Sequence, residues 1–247
     1  SMKTLPLSQA LAEAWATKAQ VAPQLLEGIS LTEAQAYQIQ QTVYKQQGGT
    51  PYWKTGVLSD GSVFSAPVSA QNTQFSPARL NGAQFNALHV EAELAFQFNQ
   101  AFMAGKEYSE TEVMAAIEQV CVCIEILDSR LSHWETADEY WHLADNQMNG
   151  GMVLGTGIRD WQGINMTQQS FELFINDQIV ASDQGSHPQQ DPTQLLHDFV
   201  NRSTQQGYSL EAGSWVTTGT WSGYPTANPG DIVRVHFSNI GEALLVL

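Results

Sequence analysis

Val90-Glu91-Ala92-Glu93-Leu94-Ala95-Phe96 sets two carboxylates two residues apart in an otherwise apolar run. On a strand that spacing places Glu91 and Glu93 on one face, about 7 Å apart, with Val90, Ala92, Leu94 and Phe96 on the other. Two like charges so close repel each other, and a shared cation relieves them. The plain alternative is a solvated strand face. Glu125 interrupts a second apolar run, Cys121-Val-Cys-Ile-Glu-Ile-Leu127. An ionised carboxylate there is costly unless it meets a partner. That partner is either Arg130 or a cation shared with Glu91 and Glu93. If the three meet, their oxygens suit Mg2+ or Mn2+, hard ions that keep positions open for water and substrate. Zinc is disfavoured, because the six histidines (His89, His133, His142, His187, His197 and His236) show no ligand spacing. Lys54, in Trp53-Lys54-Thr55-Gly56, reads in two ways. It is either a strand-end lysine with a salt-bridge partner, or an ammonium beside the metal that lowers the cost of an anionic intermediate.

Strands and turns must carry these groups. Residues 7 to 48 read as helical, with Leu11, Trp15 and Ala19 at helical spacing and a second helix over 31–47 after a break at Gly28-Ile29-Ser30. Ser30 or Thr32 is its N-cap. Beyond Gly48-Gly49-Thr50-Pro51 the texture changes to short β-like runs at 52–58, 89–98, 120–127, 150–157, 171–175, 214–218 and 232–237. Helices are expected at 110–118 and 192–204, the second started by Asp191-Pro192. The fold class is α+β: a helical N-terminal lobe over 1–50 and a β-rich body over 51–247, forming one structural unit.

Composition narrows the partners. The chain has 247 residues, of which 43% are hydrophobic, enough for a sizeable core. Charged residues make up only 14%, so Gln, Asn, Ser and Thr build much of the surface. Ten scattered Lys and Arg against 25 Asp and Glu give a net charge of −15, which argues against nucleic acid and anionic membrane surfaces. No apolar run approaches the ~20 residues of a membrane span. Ser1-Met2-Lys3 reads as a cloning remnant with no secretory signal after it. Cys121 and Cys123 are expected to be buried thiols in a reducing cytoplasm, facing opposite sides of a strand and so not bridging. There is no Gly-x-Ser-x-Gly element, phosphate loop or dinucleotide fingerprint.

Taken in order, Lys54-Thr-Gly56, Val90-Glu-Ala-Glu-Leu-Ala-Phe96, Ile124-Glu-Ile-Leu-Asp-Ser-Arg130, Ala144-Asp-Asn146, Ser186-His-Pro188 and Thr218-Gly-Thr220 resemble the fumarylacetoacetate hydrolase superfamily. The spacing is most similar to its hydratase/decarboxylase branch. The resemblance implies Glu91, Glu93 and Glu125 as ligands of Mg2+ or Mn2+. It implies Lys54 as a catalytic, substrate-facing group with its pKa lowered by metal and burial, and Thr220 as a contact for a substrate carboxylate. It also implies a mixed β-roll body and a homo-oligomer. The substrate would be a small 2-oxo or 2-hydroxydienoic acid of the kind formed in aromatic-compound catabolism. The implied reaction is hydration to a 4-hydroxy-2-oxo acid, with 4-oxalocrotonate-type decarboxylation as the alternative. The branch carries a Gly-Thr-Leu-x-Ala-Asp-like element whose Asp positions water or a proton, whereas this chain reads Gly61-Ser-Val-Phe-Ser-Ala-Pro67. That departure keeps open a third reading, a non-catalytic member that binds a 2-oxo acid or a partner enzyme. C–C hydrolases of the superfamily use a His–Glu pair near the lysine, and no His precedes Leu88 here. His187 and Asp145-Asn146 read as structural, and Arg130 as an ion-pair partner of Asp128 or a neighbour of Glu125.

Overall fold

The computed structural model describes residues 4–247, so Ser1-Met2-Lys3, expected above to be a cloning remnant, lies outside the described residues. Among the described residues, twelve strands form two sheets in a mixed α/β fold. In chain order they are β1 Tyr52–Val57, β2 Val63–Pro67, β3 Thr73–Phe75, β4 Ala78–Arg79, β5 His89–Phe98 and β6 Ile117–Leu127, then β7 Asn149–Ile158, β8 Ser170–Ile175, β9 Gln178–Gln184, β10 Trp215–Thr217, β11 Ile232–Phe237 and β12 Gly241–Val246. The larger sheet runs β2-β1-β10-β5-β6-β7-β3, and the smaller runs β4-β12-β11-β8-β9. β5 therefore lies at the centre of the larger sheet, antiparallel to both β10 and β6.

Alternation along β5 decides what each face of the sheet does. Val90, Ala92, Leu94 and Phe96 point to one side, where they meet Val122 and Ile124 of β6 and Val233, Val235 and Phe237 of β11 in the main core. That burial of branched and aromatic side chains holds the two sheets together. The sheets approach closely at Gly155 of β7, where a Cβ would stand 2.2 Å from the Glu242 carbonyl oxygen. The other face of β5 carries Glu91 and Glu93.

The described residues also form five α-helices: α1 Leu5–Thr17, α2 Glu33–Gln46, α3 Glu110–Ala115, α4 Glu139–Ala144 and α5 Leu196–Gln205. Thr32 caps α2 in a reciprocal box with Gln35, with bonds of 3.1 and 3.0 Å. α1, α2 and α4 share a second apolar cluster that includes Phe64 and Ala66 of β2. Gly56 is required there, because a Cβ would lie 2.8 Å from the Phe64 ring.

The helical expectation over 7–48 holds for two stretches and fails between them. Lys18 turns left-handed at φ 63 and ends α1, and Val21 then bridges to Leu131. Only one 3-10 turn, Pro23–Leu25, falls before α2. The helix expected over 110–118 stops at Ala115, since Ile117 is recruited to β6 opposite Phe98. The two cysteines also depart from expectation. A period of two puts residues 121 and 123 on the same face, and both pack with Ala95, Met152 and Leu154. They remain free thiols, and burial pushes both pKa values up.

Candidate metal centre

Strand register assembles the site. Glu91 of β5 pairs directly with Glu125 of β6, and Glu93 sits one step along, opposite Cys123. Lys54 of β1 pairs with Thr217 of β10, which pairs with Ala95 of β5. All of these side chains therefore share the sheet face away from the main core. One carboxylate oxygen from each of Glu91, Glu93 and Glu125 lies within 4.8 Å of the others. The solvated-face alternative fails, because Glu93 is 0% exposed, Glu125 1% and Glu91 8%.

Several neighbouring groups meet these carboxylates. Lys54 Nζ lies 2.7 Å from Glu125 Oε2 and 2.9 Å from the Gln147 carbonyl oxygen. Asn149 Nδ2 donates to the same Glu125 oxygen at 2.9 Å. Thr217 Oγ1 donates to Glu93 Oε2, and the Gly219 N–H reaches that atom at 3.1 Å. Glu93 Oε1 is buried and receives no donor among the described residues. Gln147 is held in place by an unusual turn, in which Asn146, Gln147 and Met148 are all left-handed at φ 52, 51 and 58. Side chains other than Gly and Asn resist that region, so the turn marks strain spent on presenting a carbonyl to Lys54.

Electrostatics points to a missing positive charge. Were all three carboxylates ionised, one ammonium would leave two negative charges in a buried space. Burial first, and then repulsion from Glu125, pushes the Glu91 carboxyl up to about 8. Burial and its two carboxylate neighbours push Glu93 well above the usual range. Burial disfavours the Lys54 ammonium, but attraction from Glu125, Glu91 and Glu93 overrides it and raises its pKa. That direction is opposite to the lowering expected from the sequence, which assumed a metal beside it. A divalent cation fits the site on three observations: an orphaned Glu93 oxygen, an all-oxygen donor set and the uncompensated charge.

Thr220 lies at the rim, partly exposed, and donates to the Gly223 carbonyl at 2.7 Å. Arg130 is not the partner of Glu125 or Asp128. Its Nε bonds Asp145 Oδ1 at 2.7 Å, and its guanidinium stacks on Trp15. Asp145 also accepts from Ser129 Oγ, which leaves Asp128 free to cap the Asn86 and Ala87 amides. Asp60 does not fill the place of the Asp missing from 61–67, since it accepts from Ser62 N and Oγ in an exposed turn. Thr217, Gly219, Asn149 and Gln147 were not found from the sequence. Gln147 and Gly219 act through backbone atoms, which carry no side-chain signal, and the aim of Thr217 and Asn149 follows from strand pairing. A cavity of about 880 Å³ has Trp15, Tyr44, Val68 and Asn146 in its walls, and Lys54 and the three glutamates do not line it.

Two packed sheets thus present three buried glutamates and a lysine on a β-rich scaffold, an all-oxygen set that could hold a divalent metal. Residues 36–244 match the family described as Fumarylacetoacetate (FAA) hydrolase C-terminal, and the chain belongs to that family. It is 28% identical over 142 residues to 2-hydroxyhexa-2,4-dienoate hydratase of Comamonas testosteroni, covering 58% of this chain and 53% of that protein. It is 22% identical over 153 residues to 4-oxalocrotonate decarboxylase of Pseudomonas putida, covering 62% and 57%. The chain thus spans about half the length of the curated relatives it matches. Its fold is similar to that of 4-oxalocrotonate decarboxylase from Pseudomonas putida G7 complexed with magnesium and adipate, with TM-score 0.87, 17% identity, and 99% of this chain and 97% of that one covered. No helix among the described residues is long and apolar enough to cross a membrane.

Proposed function

We propose that this protein is a divalent-metal-dependent lyase. It adds water to a 2-hydroxydienoate or 2-oxo-4-enoate and gives a 4-hydroxy-2-oxo acid. The observation that carries this reading is the buried convergence of Glu91, Glu93 and Glu125 beside the Lys54 ammonium. The three carboxylates would hold Mg2+ or Mn2+. When bound, such an ion supplies a Lewis acid that polarises the 2-oxo group of a chelating 2-oxo acid. Lys54 is placed to stabilise negative charge developing on that oxygen, or to move a proton there, once its ion pair with Glu125 is loosened. Thr220 at the rim would bind the substrate carboxylate. Asn149 and Gly219 hold Glu125 and Glu93 in orientation. Residues 1–50 would act as a helical lobe against the β-rich catalytic body of 51–247, supported by the packing of α2 on α4 and β2. The protein would work as a homo-oligomer.

Decarboxylation is the second reading. It is supported by the relative named as a decarboxylase, and the stretch 61–67, which lacks the carboxylate the branch carries, leaves both reactions open to test. A panel of dienols with Mg2+ or Mn2+ tests both. Loss of dienol absorbance that is abolished by Glu93→Ala and by Lys54→Ala supports the lyase, and CO2 release separates decarboxylase from hydratase. Binding of oxalate or pyruvate with no turnover of any panel member would instead support a non-catalytic family member.

A further inference from the structure

Ser186-His187-Pro188 stands outside the carboxylate cluster, and its side chains are fully engaged. His187 is 4% exposed. Its Nδ1 accepts the Gln189 N–H at 3.0 Å, and its Nε2 lies 2.7 Å from the Thr218 carbonyl oxygen. With Nδ1 accepting, a neutral ring carries its hydrogen on Nε2 and donates it to Thr218. Burial lowers the His187 pKa and so favours that neutral form. The ring also packs edge-on against Trp221, and Ser186 Oγ donates to the Trp221 carbonyl at 2.8 Å. The 186–189 segment is thus tied to the 218–221 loop at two points.

The Thr218 carbonyl and the Gly219 N–H belong to one planar peptide unit and point in opposite directions. That N–H is the one that meets Glu93 Oε2 at 3.1 Å. His187 therefore holds one end of the plane while Glu93 takes the other, and each hydrogen bond polarises the next. Gly219 has φ 102, a region open to glycine, so the plane needs an outside tie to stay fixed. A Cβ at Gly219 would stand 3.4 Å from His187 Nε2, so the loop lies against the ring. With Oε2 bound by Thr217 and Gly219, the free oxygen of Glu93 is Oε1.

We propose that His187 is a positioning residue for the metal centre: through the Thr218–Gly219 peptide it fixes the Glu93 carboxylate so that Oε1 faces Glu91 and Glu125. The inference rests on the metal-site reading above and extends it to a residue that touches neither ligand nor substrate.

Equilibrium Mn2+ binding tests it on the full chain. His187→Leu keeps bulk and removes the donor, while His187→Gln restores an N–H at similar reach. The expected result is a 10- to 100-fold loss of Mn2+ affinity in His187→Leu, about the effect of removing a ligand-orienting hydrogen bond, with His187→Gln close to wild type. Wild-type affinity in His187→Leu, or equal losses in both variants, overturns the proposal. Nitrogen-15 NMR of the wild-type His187 ring needs no variant to fold: an Nε2–H tautomer is required, and an Nδ1–H tautomer overturns it. Glu93→Ala, measured in parallel, separates the two levels. If Glu93→Ala loses Mn2+ while His187→Leu keeps it, the His187 inference alone fails. If Glu93→Ala keeps Mn2+, the metal-site reading fails and His187 with it.

Discussion

Burying three carboxylates costs free energy that one lysine cannot fully offset, and the residues of the site record the deficit. Glu91 and Glu93 answer it by holding protons, which is why their pKa values rise. In the metal-free protein this reverses the usual acid trend. A carboxyl raised to about 8 when folded and near its ordinary value when unfolded binds more protons in the native state between those two points. Its contribution is complete below the unfolded pKa and is lost as pH rises through the folded one. Urea unfolding in EDTA should therefore show stability falling from about pH 4.5 to 8, and a rise over that window would contradict the protonated-carboxylate picture. Lys54 is the other half of the balance. Removing one member of a buried ion pair typically costs about 3–5 kcal/mol. Lys54→Met in EDTA at pH 8 should lose stability on that scale, whereas unchanged urea midpoints would mean that the ammonium does not compensate Glu125. At this scale the sequence was informative where charge interrupts an apolar run: Glu91, Glu93, Glu125 and Lys54 stand out because charge is rare in such strands. Thr217 and Asn149 did not, since polar residues at strand ends are ordinary and their aim comes from register, and Gly219 acts only through its backbone N–H.

Elements turn these residues into a site through pairing. β5 was legible from its alternation, and β6 from its apolar run broken by Glu125. Their alignment was not, because local pattern does not show which residue of β6 stands opposite Glu91. β9 was missed for a physical reason: Gln178–Gln184 is an exposed edge strand with no apolar period to read. β2 was missed because Val63–Pro67 is buried throughout and carries no alternation. β12 sits where β7 comes close to the smaller sheet, and Gly155 makes that approach possible. Gly155→Ala would place a methyl 2.2 Å from a backbone oxygen, so relief requires the sheets to move apart rather than a side chain to turn. Overpacking of this kind costs about 1–3 kcal/mol. Chemical denaturation should show a loss in that range, and a neutral result would mean that the two sheets can slide at β12. At the start of α2 the reciprocal cap makes a smaller, separate demand. Thr32→Ala should cost about 1 kcal/mol without affecting metal binding.

For the molecule as a whole, the metal and the fold are thermodynamically linked, because the triad exists only when β5 and β6 are paired. The unfolded chain offers Glu91, Glu93 and Glu125 as separate carboxylates 34 residues or fewer apart in sequence, with no reason to converge. An ion that binds the native arrangement alone adds about 2.7 kcal/mol of stability at one hundred times its dissociation constant. In a chain of this length each kcal/mol moves the melting temperature by about 2–4 °C, so saturation should raise it by about 5–11 °C. The net charge of −15 supplies a control for this shift. Nonspecific screening of an acidic surface stabilises any variant, and it responds to NaCl as well as to Mg2+. Site binding by the triad stabilises wild type and Thr32→Ala alike, is lost in Glu93→Ala, and persists at constant ionic strength. Calorimetric melting of the three proteins in EDTA, MgCl2 and MnCl2 at matched ionic strength separates the two effects. Equal shifts in wild type and Glu93→Ala would assign the stabilisation to surface charge and remove the triad from the account of the metal.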